Sequence, residues 1–374
     1  MNIGSEEGNQ AKINEGDGSK PAVPPQPIKR KMKFRSANFS ELGLIIIIIL
    51  LGMVLTKFGG THPDRVTGEP VSNFLNIDAL LDAATYASYF AIMAVGMTAV
   101  IITAGIDLSV GSLYALSGVS TALVLEGMHN SHNPFLHLHW VILMVGLVCC
   151  LGVGTLGGLI NGLATVLLDV HPFIITLGTL WIFRGLAFVI SKAMSIQLPS
   201  PIVNFVKMPL GLHGGLAPLP VVVLLIVMTG GWVYLTKTPM GRRVFAVGGN
   251  LEASRYAGLP IKNIISGVYV LTGLCAGIAA FLAIGYYGSA SSADGTGYEL
   301  YVIAAAVVGG CSLMGGRGTV LGTVLGAVLI EMIRESIEIL HLNVNYEQII
   351  VGLAIILAVV IDRASTKIRA RYAS

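Results

Sequence analysis

The sequence predicts an all-α polytopic membrane protein with about ten transmembrane helices, some of them broken or re-entrant, and both termini cytoplasmic. Three observations carry this. Of 374 residues, 54% are hydrophobic and only 11% charged, and the mean hydropathy is +0.78. A soluble domain is typically about a quarter charged, and so apolar a chain cannot be disordered over most of its length. The apolar residues also run continuously, as in Leu44–Leu51, where a transmembrane β-barrel would alternate. Finally, with the amino end inside, 17 of the 23 Lys and Arg fall on the expected cytoplasmic side. The outer loops hold only Lys57, Arg65, Lys192 and Lys207, which fits the positive-inside rule.

Residues 1–40 are polar and Pro-rich, with PAVPPQP at 21–27, and read as a disordered cytoplasmic tail. The tail ends in Lys29, Arg30, Lys31, Lys33 and Arg35, which hold the amino end inside. The transmembrane domain occupies 41–363, and residues 364–374 form a second cytoplasmic tail. Spans are expected near 42–58, 83–104, 108–125, 140–168, 173–190, 218–236, 264–284, 299–311, 319–335 and 348–362. Those near 108 and 299 are short or Gly-broken, which suits half-helices or re-entrant segments. The outer loop 126–139 holds four histidines, His129, His132, His137 and His139. Histidine suits zinc or copper, but the spacing is irregular, so the loop is read as ordinary polar surface with no metal. The outer loop 191–217 carries Pro199, Pro201 and Pro209, which forbid a long helix. Cys149, Cys150, Cys275 and Cys311 sit in apolar runs without CxxC spacing and read as small packing residues.

Three segments carry chemistry. In TAGIDLSVGS, residues 103–112, Asp107 lies between Gly105 and Gly111, with hydroxyls from Thr103, Ser109 and Ser112. Asp107 fits an N-cap of the next helix, worth about 1 kcal/mol. It equally fits a broken helix lining a translocation path, because a membrane carboxylate faces a cavity or a partner. The two readings are compatible. Residues 237–263 form the longest internal loop. There Asn250 is a good N-cap, Leu251–Ala257 can make two helical turns, Glu252 and Arg255 can pair, Gly258 is placed as a stop and Pro260 forbids continuation. A short capped helix jutting from a membrane protein is a docking knob. In residues 295–326, Gly318, Gly322 and Gly326 are spaced four apart, as one smooth helix face would require. Glu299 opens the eighth span, either complementing the helix dipole or serving as a pathway residue. Arg334 can pair with Glu331 or Glu338.

Residues 91–113 (AIMAVGMTAVIITAGIDLSVGSL), 248–264 (GGNLEASRYAGLPIKNI) and 295–323 (GTGYELYVIAAAVVGGCSLMGGRGTVLGT) together resemble the signature stretches of bacterial ABC-importer permeases of the ribose/monosaccharide type. The resemblance runs from about Asn73 to Asp362. It implies the membrane subunit of an ATP-driven importer of the bacterial inner membrane, with a second permease chain, two ATP-binding subunits or one fused tandem ATPase, and an extracytoplasmic solute-binding protein. Loop 237–263 then corresponds to the coupling element, with Asn250, Glu252, Arg255, Tyr256 and Gly258 matching its motif. Thr103, Asp107, Ser109, Ser112 and Glu299 become the pathway candidates. The resemblance implies no catalytic residue and no cofactor on this chain, because ATP and Mg belong to the ATPase. Beyond these partners and the bilayer, no nucleic acid is implied. The chain departs from the motif at Tyr301, where members often carry Asp, and in SASSADGTG at 289–297, where many have a proline after Ser-Ala.

The alternative is an ion-coupled secondary transporter of a small polar solute, which also uses broken helices but needs membrane-embedded ionisable groups. An intramembrane enzyme lacks support, since neither HExxH nor GxSxG occurs.

Overall fold

The computed structural model describes residues 37–63, 68–131, 133–209, 217–343, 345–354, 356–357 and 360. Helix α1 spans Ala37–Phe58, α2 Ile77–Ile102, α3 Val110–His129, α4 His139–Leu168, α5 Pro172–Ser191, α6 Ser200–Val206 and α7 Leu219–Lys237. The chain continues through α8 Pro239–Gly249, α9 Leu251–Tyr256, α10 Ile261–Tyr287, α11 Tyr298–Val308 and α12 Val320–Ile339. Seven of these, α1 to α5, α7 and α10, are long and apolar enough to cross a membrane. Residues 346–354 are helical and open the tenth expected span.

Helix α1 starts at Ala37, inside the segment expected to be tail. The rest of that segment, the basic cluster at 29–35 and the carboxyl tail 364–374 lie outside the described residues. Helix α2 is the central post. Asn76 caps it by accepting the Ala79 N–H at 2.7 Å, and every residue from Ala87 to Ile102 is buried, as a helix apolar all round demands. Helix α4 lies against α10 through backbone contact. Gly154, Gly158 and Gly162 face Gly273, Gly277 and Ser266 with no room for a Cβ, the small-residue packing of membrane helices. Elsewhere α4, α5 and α7 turn large apolar side chains outward, among them Leu167, Trp181 and Ile226, where lipid is the matching solvent.

The two weak spans resolve differently. Helix α3 is continuous over 20 residues and starts at Val110 rather than 108. What breaks is the link before it. Ala104 takes a left-handed φ of 62°, and the chain turns back into the bundle. The Ile106 carbonyl accepts from the Tyr269 hydroxyl at 3.3 Å and from the Thr176 hydroxyl at 3.1 Å. Tyr269 stands eight residues into α10, about 12 Å along it. The segment near 299 is short: the 11 residues of α11 rise about 16 Å, half of a hydrocarbon core of about 30 Å.

Helix α12 begins after Thr319, whose hydroxyl accepts the Gly322 N–H at 3.0 Å. Gly318 therefore precedes the helix and packs on Cys311, while Gly322 and Gly326 face Gly309 and Ala305 of the α11 end. The smooth glycine face expected over all three positions is real for two. Arg334 bonds Glu331 and Glu347, each at 2.9 Å, rather than Glu338. Glu347 reaches it because the chain folds back after α12.

Segments that the charge count put on one side come together. At one end, Gly316 N–H donates to the Ile102 carbonyl at 2.8 Å, and Gly248 packs on the same carbonyl. At the other, strands β1 Ile196–Gln197 and β2 Ser289–Ala290 pair antiparallel.

Candidate functional site

The docking knob has the form its sequence dictates. Asn250 Oδ1 accepts the Ala253 N–H at 2.9 Å, which satisfies one of the orphan donors of α9. Glu252 and Arg255 meet at 3.8 Å with about two-thirds of each side chain exposed, so the pair contributes little to stability. Ala257 is the C-cap residue. Gly258 follows at φ +72°, a left-handed conformation that a side chain resists. Tyr256 is 87% exposed and Leu251 43%, so the knob presents an aromatic and an aliphatic side chain beside a charge pair. Ser254 is buried on the opposite face.

The knob stands on a second helix that the sequence reading did not place. Thr238 caps α8 by accepting the Gly241 N–H at 3.1 Å, with Pro239 in the first turn. Gly241, Val244 and Val247 are buried along its inner face, while Arg242 and Arg243 are exposed. A Thr-Pro start and three-residue apolar spacing were the signals available. The end of α8, Gly248 and Gly249, packs against Ile102, Gly315 and Gly316. Helix α8 thus joins the knob to the end of α2 and to the turn after α11.

Asp107, Ser109 and Ser112 are wholly buried within the chain. Asp107 Oδ1 accepts from Ser109 N at 2.9 Å and Ser109 Oγ at 2.8 Å. Asn161 Nδ2 of α4 donates to Ser109 Oγ at 2.7 Å, and Ser112 Oγ donates to the Ser109 carbonyl at 2.8 Å. Asp107 therefore does not cap α3 as expected: the N-cap residue is Ser109, which makes no side-chain cap bond, and the Asp107 carboxylate instead closes a turn onto Ser109 that Asn161 fastens to α4. Thr103 is set apart, with its hydroxyl on the Val100 carbonyl at 2.8 Å. Glu299 is half-buried at the start of α11 and lies against Gly111 of α3. The five pathway candidates are thus divided: three in the buried turn that leads into α3, Thr103 just after α2 and Glu299 where α11 meets α3.

Around Glu299 lies a group of side chains drawn partly from segments 289–297 and 295–323 and partly from α3 and α10, which no motif joined to them. Tyr114, Tyr287, Ser289, Asp294, Gly295 and Tyr298 line a cavity of about 260 Å³. Arg184 of α5 donates through Nη1 to the carbonyls of Ser292 and Asp294, both at 2.6 Å, and so holds the loop that carries Asp294. Beyond the cavity, Phe90 stacks edge-on with Tyr298 at 5.1 Å. The Arg334 guanidinium lies 5.6 Å from the Phe90 ring and 5.9 Å from Tyr301.

The family described as branched-chain amino acid transport system / permease component matches residues 79–359. The chain belongs to this permease family. It is 36% identical over 321 residues to the D-allose transport system permease protein of Escherichia coli K12, covering 85% of this chain and 91% of that one. With the ribose import permease of the same strain it shares 34% over 344 residues, covering 90% and 98%. It shares 32% over 324 residues with the galactose/methyl galactoside import permease of Haemophilus influenzae, covering 85% and 92%. No solved structure matches.

This permease is a multi-pass transport subunit, not an enzyme, as its family's description as a permease component states. What sequence reading missed in it are the tyrosines and Arg184. A lone arginine inside an apolar span was a usable signal. The tyrosines come from α3, α10 and α11 and share no spacing, so only the fold gathers them. Among the described residues no group of His, Cys, Asp or Glu could hold a metal. In the histidine loop His129 and His137 face each other at 6.0 Å, and His132 lies outside the described residues.

Proposed function

We propose that this permease imports a monosaccharide, or a similarly small neutral polyol, by alternating access powered by a partner ATPase that seats on α9. The observation that carries the reading is the joint at Gly248 and Gly249. A motor pulling the exposed knob would move the turns that end α2 and α11, and these lead into the two interrupted elements of the bundle. The sugar class is supported by the names of the relatives, which are permeases for allose, ribose and galactose. A polar solute cannot cross hydrocarbon bare, because its hydroxyls would lose their water.

In this reading two permease chains enclose the path, two ATP-binding subunits or one fused tandem ATPase supply ATP and Mg, and a solute-binding protein delivers from outside. The chain sits in the bacterial inner membrane with both ends cytoplasmic. Asn250 and Gly258 shape the knob, while Glu252, Arg255 and Tyr256 face the ATPase. Asp107, Ser109 and Ser112 position the start of α3, and Glu299 and Thr103 move with the elements on either side.

Sugar uptake by the complete importer tests this. Arg255→Glu is expected to leave the permease folded and the ATPase active while uptake falls at least tenfold. Wild-type uptake in that variant would overturn the assignment of α9. Uptake that survives loss of the ATPase but collapses with the ion gradient would overturn the ATP-driven reading.

A further inference from the structure

We infer that the cavity at the start of α11 is a solute subsite of the permease itself, built for a neutral monosaccharide that stacks on tyrosine rings and gives hydroxyl hydrogen bonds to Asp294. The inference rests on the reading of this chain as a sugar permease.

The cavity's size comes first. About 260 Å³ falls below the roughly 300–1,000 Å³ of pockets for drug-sized ligands, so the space suits one small ring. Its walls come next. Tyr114 and Tyr298 pack on each other, 5.6 Å apart with their planes inclined at 45°, and form the floor, while Tyr287, 51% exposed, offers the open stacking face. Aromatic faces are negative and attract the weakly positive C–H bonds of a sugar ring. They also present an apolar surface to a solute whose polarity lies at its rim.

The polar edge is equally specific. Asp294 Oδ2 accepts the Ser291 N–H at 2.8 Å. Among the described residues Oδ1 takes no hydrogen bond, so it can accept a hydroxyl. Arg184, the nearby cation, gives Nη1 to two backbone carbonyls rather than to this carboxylate. It therefore fixes the loop and offsets part of the Asp294 charge, while Glu299, also within its electrostatic reach, adds a second carboxylate that keeps this edge negative. Ser289 adds a hydroxyl that can donate or accept. Tyr287 also adjoins Tyr89, with ring centroids 6.2 Å apart. Tyr89 is 1% exposed, and its hydroxyl has no hydrogen-bond partner among the described residues. An anion of the same size would meet the Asp294 charge and be rejected, so the cavity favours uncharged sugars over sugar acids.

The subsite is expected to be weak, because a transport intermediate must leave as readily as it enters. Saturation-transfer NMR detects such binding. The full-length permease in lipid nanodiscs, with neither ATPase nor binding protein, is mixed in turn with D-ribose, D-allose, D-galactose and D-gluconate. Transfer is expected to the ring C–H protons of at least one neutral sugar and not to gluconate. Asp294→Asn, which keeps the loop bond to Ser291, is expected to cut the signal at least threefold, and Tyr287→Ala at least fivefold. Tyr298→Phe retains the stacking face and is expected to keep most of the signal, which separates loss of the site from loss of the fold. No transfer from any neutral sugar in the wild-type permease, equal transfer in Tyr287→Ala, or equal transfer from gluconate would each overturn the subsite. A subsite that fails in this assay leaves the coupling reading to stand or fall on uptake.

Discussion

Gly316 gives its backbone N–H to the carbonyl of Ile102 at 2.8 Å, tying the turn after α11 to the last residue of α2. Gly316 holds φ at +72° to do so, and Gly248 of α8 lies against the same carbonyl. Three elements distant in sequence thus share one backbone oxygen. The bond lies at the end of the bundle beside the knob, where a force applied to α9 would first be felt.

A methyl group at position 248 should break that arrangement. An added Cβ would collide with the Ile102 carbonyl and sit 2.8 Å from the Gly316 nitrogen. Both are backbone, so neither yields as a flexible side chain would. Overpacking of this kind costs about 1–3 kcal/mol. Gly248→Ala is expected to lower the thermal unfolding midpoint and, in the assembled importer, to depress uptake more than ATP hydrolysis. Gly249→Ala, which meets nothing within 4 Å, is the control and should behave as wild type in both assays.

Arg184 offers a second test. Its guanidinium is the donor to the carbonyls of Ser292 and Asp294, and hydrogen bonds from a charged group are worth about 1.5–3 kcal/mol. Arg184→Met keeps the apolar stem and removes the donors. A loss of roughly 2 kcal/mol is expected by denaturant or thermal titration, with faster proteolysis of the 291–297 loop. Arg184→Lys should recover part of the loss, since an ammonium can reach one carbonyl but lacks the planar fork.

Much of this was legible in the sequence, for physical reasons that differ by element. The knob could be read almost residue by residue, because Asn250 and Gly258 obey local capping rules that need no tertiary information. The seven long apolar helices follow from composition and length. Three things were not legible. Helix α8 was passed over because its few apolar residues sit among glycines and arginines, and its burial depends on α7 and α10. Helical spacing offered Arg334 either Glu331 or Glu338; Glu331 is a partner, whereas its second partner, Glu347, arrives from a segment beyond the helix. Asp107 could be named as important, but cap and pathway could not be told apart. That distinction depends on Asn161, 54 residues away, and on whether solvent reaches the site.

The Arg334 network gives the next prediction. Glu331 is 4% exposed and has Arg334 as its ion-pair partner at 2.9 Å. Removing the cation strands a buried carboxylate, a change worth about 3–5 kcal/mol when a buried pair is broken from one side. Arg334→Met is therefore expected to destabilise strongly. The double variant Arg334→Met with Glu331→Gln should recover part of the loss, because it removes the more deeply buried orphaned charge while Glu347 still lacks its guanidinium. A double variant no more stable than the single one in thermal unfolding would refute this account.

Asp107 supplies the last and most decisive comparison. Its Oδ1 accepts two hydrogen bonds from Ser109, and the residue is wholly buried. Asn is nearly the same shape and can accept the same two bonds, so Asp107→Asn preserves the turn onto Ser109. Alanine cannot, and it leaves the buried Ser109 N–H and hydroxyl without their acceptor, at about 1–3 kcal/mol for each unsatisfied group. If the carboxyl serves only to start α3, Asp107→Asn should fold and transport close to wild type, while Asp107→Ala should lose several degrees of thermal stability and most of its uptake. A path-lining role predicts another order: Asp107→Asn would fold normally and still fail to transport. Measuring stability and uptake on both variants separates the two, and the sealed surroundings of the carboxylate favour the first.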